Sequence, residues 1–198
     1  MTIDRRVRRT QKLLGEALIA EALEKGYKNI TIQDVTSRAD VGYRTYFRHY
    51  TGLDELLLSV AQDRLDQFYE LLDLPAPGEL VDDLSTTFRS IGTTLFQHIL
   101  DNQKAFRFLL LDPNLRFALE PVMERACTKA ESILAGLPQE NIPAGVAANH
   151  IISSTFSLIR WWLENDSPRS PAWMGRIFTD LIIGPTLGVM TGDPDGVI

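Results

Sequence analysis

The sequence predicts an all-α protein with a short basic module at the front of a larger acidic body. Three observations carry this reading. Apolar residues recur at helical spacing along almost the whole chain of 198 residues. No alternating run is long enough to read as a strand. Charge is split: residues 1–50 hold ten basic against six acidic side chains, a surplus of +4, while residues 51–198 carry −10. A basic head on an acidic body points to a module that binds polyanions, set on a body that repels them; the alternative is chance clustering.

Each element follows from local pattern. Leu14, Ala17, Leu18 and Ala22 make one apolar face of a first helix, which Gly26 ends after Lys25. Thr31 sits where an N-cap belongs, with Asp34 three residues on, so a short helix over about 32–39 follows. Asp40-Val41-Gly42 reads as a tight turn, and a second short helix is expected from Tyr43 to His49. Leu53, Leu57, Val60, Ala61, Leu65, Phe68 and Leu72 form the stripe of a fourth helix, stopped by the linker Pro75-Ala76-Pro77-Gly78. Leu80, Leu84, Phe88, Ile91, Leu95 and Ile99 mark a long fifth helix. A shorter one over about 103–111 ends at Asp112-Pro113-Asn114, and another runs to about Leu134. Two long segments close the plan, about 143–164 and about 170–184. The expected division is residues 1–52 for the head and 53–198 for the body.

Composition excludes several classes. At 44% hydrophobic and 23% charged the chain has enough apolar residues for a core, so disorder is not expected. No apolar run approaches the roughly 18 residues of a membrane span. No apolar segment follows the N-terminal charges as a secretory signal would require, so a cytoplasmic location is the expectation. Cys127 is the only cysteine, and His49, His98 and His150 share no metal-ligand spacing, so no metal or other cofactor is expected. An enzyme needs a nucleophile with its base, or a metal set, and no such signature is present.

Two short helices joined by a tight turn in a basic segment describe a helix-turn-helix. Its second helix offers Tyr43, Arg44, Arg48 and His49, and fits a major groove about 12 Å wide. Arg44 suits guanine O6 and N7, Tyr43 and Thr45 suit thymine methyls or phosphates, and Arg5, Arg6, Arg8 and Arg9 suit backbone phosphates. The competing reading is a helical hairpin with a solvated basic face.

The stretch from Thr31 to Tyr50, followed by Leu53-Asp54-Glu55-Leu56-Leu57, resembles the N-terminal domain of TetR-family transcriptional regulators. Residues 9–26 are similar to that family's first helix, and the specific match covers about residues 8–60. The resemblance implies a homodimer that binds a palindromic double-stranded DNA operator. It also implies a helical body that dimerises and binds a small-molecule effector. By position, Thr31 would hold a phosphate, Tyr43, Arg44 and Thr45 would face bases or phosphates, and His49 would touch the backbone. Arg8, Arg9, Tyr46 and Arg48 complete the expected DNA-binding set. Three positions depart from the pattern. Phe47 stands where a phosphate-bonding Tyr is usual, Leu53 where a Lys is, and Asp40 where a turn Gly is. With Phe47 lacking a hydroxyl, that phosphate bond is lost unless Tyr46 supplies it from another direction.

The body contributes two further expectations. Ile152, Phe156, Ile159 and Leu163 form one stripe, and Ile151, Thr155, Leu158 and Trp162 a second about 100° away. Burial on two sides suggests core on one and a partner subunit on the other, or else a helix central to a monomeric bundle. The expected dimer interface is Ile151, Thr155, Leu158, Trp162, Ile177 and Leu181. The expected effector site is Phe68, Phe88, Phe96, His98, Phe108 and Trp162, on middle helices that otherwise supply plain core. His98 either faces the ligand or bonds a nearby carbonyl, and Arg107 and Arg160 either pair an anionic ligand or reach the surface. The leading function is therefore an effector-responsive DNA-binding repressor without a membrane partner. The alternative is a helical interaction protein of the same shape with weakened DNA binding.

Overall fold

A computed structural model describes residues 5–72, 84–165 and 169–193. Among these residues every regular element is helical: α1 (Arg5–Lys25), α2 (Ile32–Ala39), α3 (Tyr43–Tyr46), α4 (Leu53–Glu70), α5 (Leu84–Asp101), α6 (Gln103–Leu111), α7 (Arg116–Leu134), α8 (Ala144–Glu164), α9 (Pro171–Phe178) and α10 (Gly184–Thr191). The Pro75–Gly78 linker and Leu80 lie outside the described residues.

The head is built as its punctuation requires. Gly26 adopts φ 79°, which releases the chain from α1 at little steric cost. At α2 the Asp34 amide donates to Thr31 Oγ1 at 3.2 Å, and the Thr31 amide donates to Asp34 Oδ2 at 2.8 Å, closing the capping box. The turn to α3 takes its left-handed residue at Asp40, φ 52°, not at Gly42, whose φ is −60°. An aspartate tolerates that region better than most residues do, so the Asp at this position still makes the turn. The second short helix is tighter than expected: α3 ends at Tyr46, and residues 47–49 continue as hydrogen-bonded turn.

The head does not fold around a separate core. Leu14, Leu18, Val35, Tyr46, Leu56 and Leu57 are fully enclosed, and the same apolar cluster continues into Phe108, Leu109, Leu115 and Val122 of the body. Helix α4 is the bridge. It begins at Leu53, packs Leu53, Leu56 and Leu57 into the head, and runs on against α7. The Tyr27 ring meets Phe108 at 6.3 Å, and its hydroxyl donates to Asp54 at 2.6 Å, tying the α1–α2 connection to both α6 and α4.

A second cluster fills the body, with Phe96, Ile99, Ala147, Leu163, Met174, Leu187 and Met190 at its centre. Helices α5 and α9 cross closely there because glycines face the crossing. A β-carbon on Gly175 would stand 2.7 Å from the Thr93 amide nitrogen, and one on Gly92 would stand 3.0 Å from the Gly175 α-carbon.

The last helix is longer than the sequence pattern suggested. It passes Gly184 and ends at Thr191, with a wide π turn over Thr179–Ile183. Pro185 explains the turn: a proline lacks an N–H and its ring crowds the carbonyl of the preceding turn, so an ordinary α-helix would break there. The Gly184 amide reaches back to the Thr179 carbonyl, and the extra residue in that turn carries the helix through.

Gly175→Ala is expected to force α5 and α9 apart and cost about 1–3 kcal/mol, the usual penalty of overpacking. Urea denaturation of the two proteins measures it, and an unchanged midpoint would show that the crossing is looser than described.

Candidate nucleic-acid interface and apolar cavity

The head's charges are distributed by pairing. Glu21, buried on α1, receives Lys25 at 2.7 Å and Arg38 at 2.6 Å, and Arg38 also reaches Glu24 at 2.5 Å. Lys25 and then Arg38 hold the Glu21 carboxyl below the usual carboxylate range, and Lys25 with Thr31 holds Asp34 far below it. Thus Arg38 and Lys25 are occupied in holding α1 to α2. Arg44 and Arg48 are exposed and form no ion pair among the described residues. Arg8 and Arg9 stand exposed on the opening turns of α1.

The recognition-helix positions divide into an outer and an inner pair. Tyr43 and Phe47, four residues apart, point outward, at 55% and 47% exposure, with ring centroids 5.1 Å apart edge-on. Tyr46 and Tyr50, also four apart, are buried beneath them. Tyr46 is completely enclosed, and its hydroxyl donates to the Gly52 carbonyl at 2.9 Å. This corrects the expectation that Tyr46 reaches DNA, because its single proton is spent inside the head. The aromatic side chains on the outer face are Tyr43 and Phe47, and of these Phe47 has no hydroxyl to offer a phosphate. The four-residue spacing of these aromatics was the signal that could have separated the pairs.

Thr45 and His49 are half-buried at the edge of this face. Thr31 is exposed at the start of α2, but its hydroxyl both donates to Asp34 Oδ2 at 2.5 Å and accepts the Asp34 amide. Leu53 is half-buried and packs on the head core, which accounts for an apolar residue there.

In the body, α4, α5, α6, α7 and α8, with Phe178 and Ile183 of the last helix, line a partly open cavity of about 180 Å³ with an overwhelmingly apolar wall. Phe68, Phe88 and His98 line it as expected. Phe96, Phe108 and Trp162 do not. Phe96 and Trp162 pack edge-on at 5.3 Å in the body core, and Phe108 belongs to the core between head and body. The sequence marks all of these as inward-facing aromatics, and only the tertiary packing decides which inward faces meet empty space.

The same reasoning corrects the interface residues on α8. Ile151 and Thr155 line the cavity, and Trp162 is buried in its own subunit at 5% exposure. Leu158 and Ile177 are half-buried, and Leu181 stands out at 66% exposure, the most open large apolar side chain described. Val189 on α10, and Trp161 and Val146 on α8, are also exposed. The double stripe is real, but both sides reach the cavity: Ile152, Phe156 and Ile159 of the first line it together with Ile151 and Thr155 of the second. Arg107 donates to the Leu163 carbonyl at 2.5 Å, and Arg160 pairs with Glu164 at 3.0 Å, so both are engaged away from the cavity.

The fold agrees with solved structures along nearly its whole length. A protein of Syntrophomonas wolfei assigned to the TetR family superposes with a TM-score of 0.73 over 92% of this chain and 97% of the other, at 15% identity. The transcriptional regulator FadR of Bacillus subtilis, solved with stearoyl-CoA, does so with a TM-score of 0.68 over 87% and 97%, also at 15% identity. The chain has the TetR-family fold. No family model matches the sequence. Two helix-turn-helix transcriptional regulators are similar in part: YxbF of Bacillus subtilis, uncharacterized, is 39% identical over 61 residues, 30% of this chain and 16% of that protein. TcmR of Streptomyces glaucescens is 30% identical over 92 residues, 44% of this chain and 39% of that protein. The chain therefore spans well under half the length of either curated relative in these matches. Within the TetR-family fold, the head described above is the helix-turn-helix part. Among the described residues no helix is long and apolar enough to cross a membrane.

Tyr46→Phe is expected to cost about 0.5–1.5 kcal/mol of stability, the value of one buried hydrogen bond, while leaving the outer face of α3 unchanged. Guanidinium denaturation gives the first quantity. A variant as stable as the wild type would show that the Gly52 bond is not formed.

Proposed function

We propose that this chain is a DNA-binding transcriptional regulator of repressor type, acting as a homodimer on a palindromic operator and released by a small, largely apolar effector. The observation that carries the reading is the double use of α4. Its first turns pack Leu56, Leu57 and Val60 into the head beneath α3, while Ala61, Leu65, Phe68 and Leu72 wall the cavity. One element thus packs on the core that supports α3 and also walls the empty space.

An effector seated beside Phe68 displaces α4, and α4 carries the head with it through their common core. Two heads in a dimer must present their recognition helices to half-sites about 34–36 Å apart, so a small tilt changes affinity. Coupling of about 1–3 kcal/mol would give 5–150-fold release, and the operator must weaken the effector by the same factor. The exposed Leu181 and Val189 on the last helix, with Trp161 on α8, are the apolar side chains offered for a partner subunit. FadR, solved with stearoyl-CoA, shares the fold and supports a small-molecule role for the body.

A second reading, a helical interaction protein that binds DNA weakly, is favoured by the exposed Phe47 and by Asp40 near the groove-facing helix. Gel shifts against the DNA upstream of its own gene separate the two. Under the first reading Arg44→Ala costs about 1–3 kcal/mol and relaxes one base position, and wild-type affinity falls steeply with salt. Unchanged affinity in Arg44→Ala would show that another surface reads the DNA.

Light scattering at micromolar concentration should give twice the 22.3 kDa of one chain. Leu181→Glu should shift the protein towards monomer, since a charge buried in an apolar contact is costly. A monomeric wild type would remove palindromic recognition.

A further inference from the structure

Five side chains that line the cavity carry a polar group: Arg64, Tyr69, His98, Lys129 and Thr155. Those groups contribute almost nothing to the surface inside, which is apolar. The reasons are local. The Thr155 hydroxyl donates to the Ile151 carbonyl at 2.7 Å, so its proton is used within α8. His98 Nε2 and Arg64 Nε are closed off even from a molecule the size of water. Arg64 Nη1 is engaged, donating to Gln67 at 2.9 Å and to Asn102 at 3.1 Å. Lys129 is exposed, and such a side chain lays its stem on apolar surface while its ammonium stays in water. Tyr69 is half-buried and sets its ring beside Phe68 at 5.8 Å. With so little polar surface inside, its hydroxyl is left to the water outside.

What the cavity offers a guest is hydrocarbon. Phe68, Phe88, Phe106, Phe156 and Phe178 line it, with leucines and isoleucines between them. A guest gains by withdrawing its own apolar surface, and that of the wall, from water. A hydroxyl or carboxylate on the guest would leave water and find no partner, which is costly for a neutral group and far more so for a charged one. The wall therefore selects by exclusion. Size sets the second limit. The volume is about 180 Å³, slightly above the roughly 150 Å³ of an apolar cavity that binds benzene. A benzene ring with a short alkyl group fits such a space, and the cavity is partly open, which gives it a way in.

We infer that the cavity takes a small neutral hydrocarbon of alkylbenzene size and rejects its hydroxylated and carboxylated counterparts. This rests on the reading of the cavity as the effector site. It adds the chemical class, a guest with no hydrogen-bonding group.

Isothermal titration calorimetry on the full chain tests the assignment with ethylbenzene, 4-ethylphenol and 4-ethylbenzoate. Ethylbenzene should bind about tenfold more tightly than 4-ethylphenol, the effect of one hydroxyl desolvated without a partner, and 4-ethylbenzoate should bind most weakly of the three. Ala130→Phe, which fills the lining from α7, should abolish ethylbenzene binding. Equal or tighter binding of 4-ethylphenol overturns the assignment, since it means that a hydrogen-bonding group faces the space. Tighter binding of 4-ethylbenzoate overturns it likewise, since it means that Arg64 or Lys129 turns its charge inward. Failure of ethylbenzene to bind, or its undiminished binding to a folded Ala130→Phe, also overturns it. The wild-type ratio decides by itself if Ala130→Phe does not fold. Gel shifts on the DNA upstream of its own gene, with and without saturating ethylbenzene, keep the effector reading separate. Ethylbenzene that binds with the expected preference but leaves the shift unchanged supports the hydrocarbon assignment and removes the effector role.

Discussion

Everything in this protein depends on the enclosure of Leu56 and Leu57. Both are completely buried, and they lie in one apolar cluster that takes in Leu14 and Leu18 of α1, Val35 of α2, Tyr46 of α3 and Leu109 and Leu115 of the body. Removing apolar surface from water stabilises by roughly 25 cal/mol per Å², so a cluster shared in this way resists any motion that would separate its halves. The head cannot rock freely on the body. It moves only as α4 moves, and that gives an event in the cavity a route to the outer face of α3. A flexible linker between head and body would have abolished that route.

The polar arrangement of the head serves the same end. Glu21 is buried and holds Lys25 and Arg38, so two cations of the basic module are spent on its architecture. Removing one partner of such a cluster leaves a buried charge unpaired, which is far more costly than losing an exposed pair. The Thr31–Asp34 capping box and the Tyr46–Gly52 bond complete a rigid frame. Outside that frame stand Tyr43, Arg44, Phe47 and Arg48 on and after α3, with Arg5, Arg6, Arg8, Arg9 and Lys12 on α1 and Lys28 just beyond it.

The body is tight at the α5–α9 crossing and empty beside α4. Glycines at 92 and 175 let two helices approach until backbone meets side chain. The cavity stays open because large rings such as Phe96 and Trp162 pack on one another, leaving Phe68, Phe88 and Phe106 around the void. Arg64, Tyr69, His98, Lys129 and Thr155 are the polar side chains among the residues that line it.

The amino-acid sequence by itself determined the helical class, the succession of helices, the capping box, the turn at Asp40 and the basic charge of the head. These are short-range effects: hydrophobic period, caps and backbone freedom act within a few residues of one another. It also determined that Phe68, Phe88, Phe96, His98, Phe108 and Trp162 face inward. Only the tertiary structure decided which of them meet a cavity, since that depends on how rings from distant helices fill space against each other. In the same way it turned Ile151 and Thr155 towards the void and Leu181 outward, and enclosed Tyr46 beneath Phe47. Periodicity records that a face is apolar, but what the face meets is set by side chains far away in the chain. The passage of the last helix through Pro185 is of the same kind: a proline stops an isolated helix, but packing of Ile182, Leu187 and Met190 into the body core holds the π turn that carries this one onward.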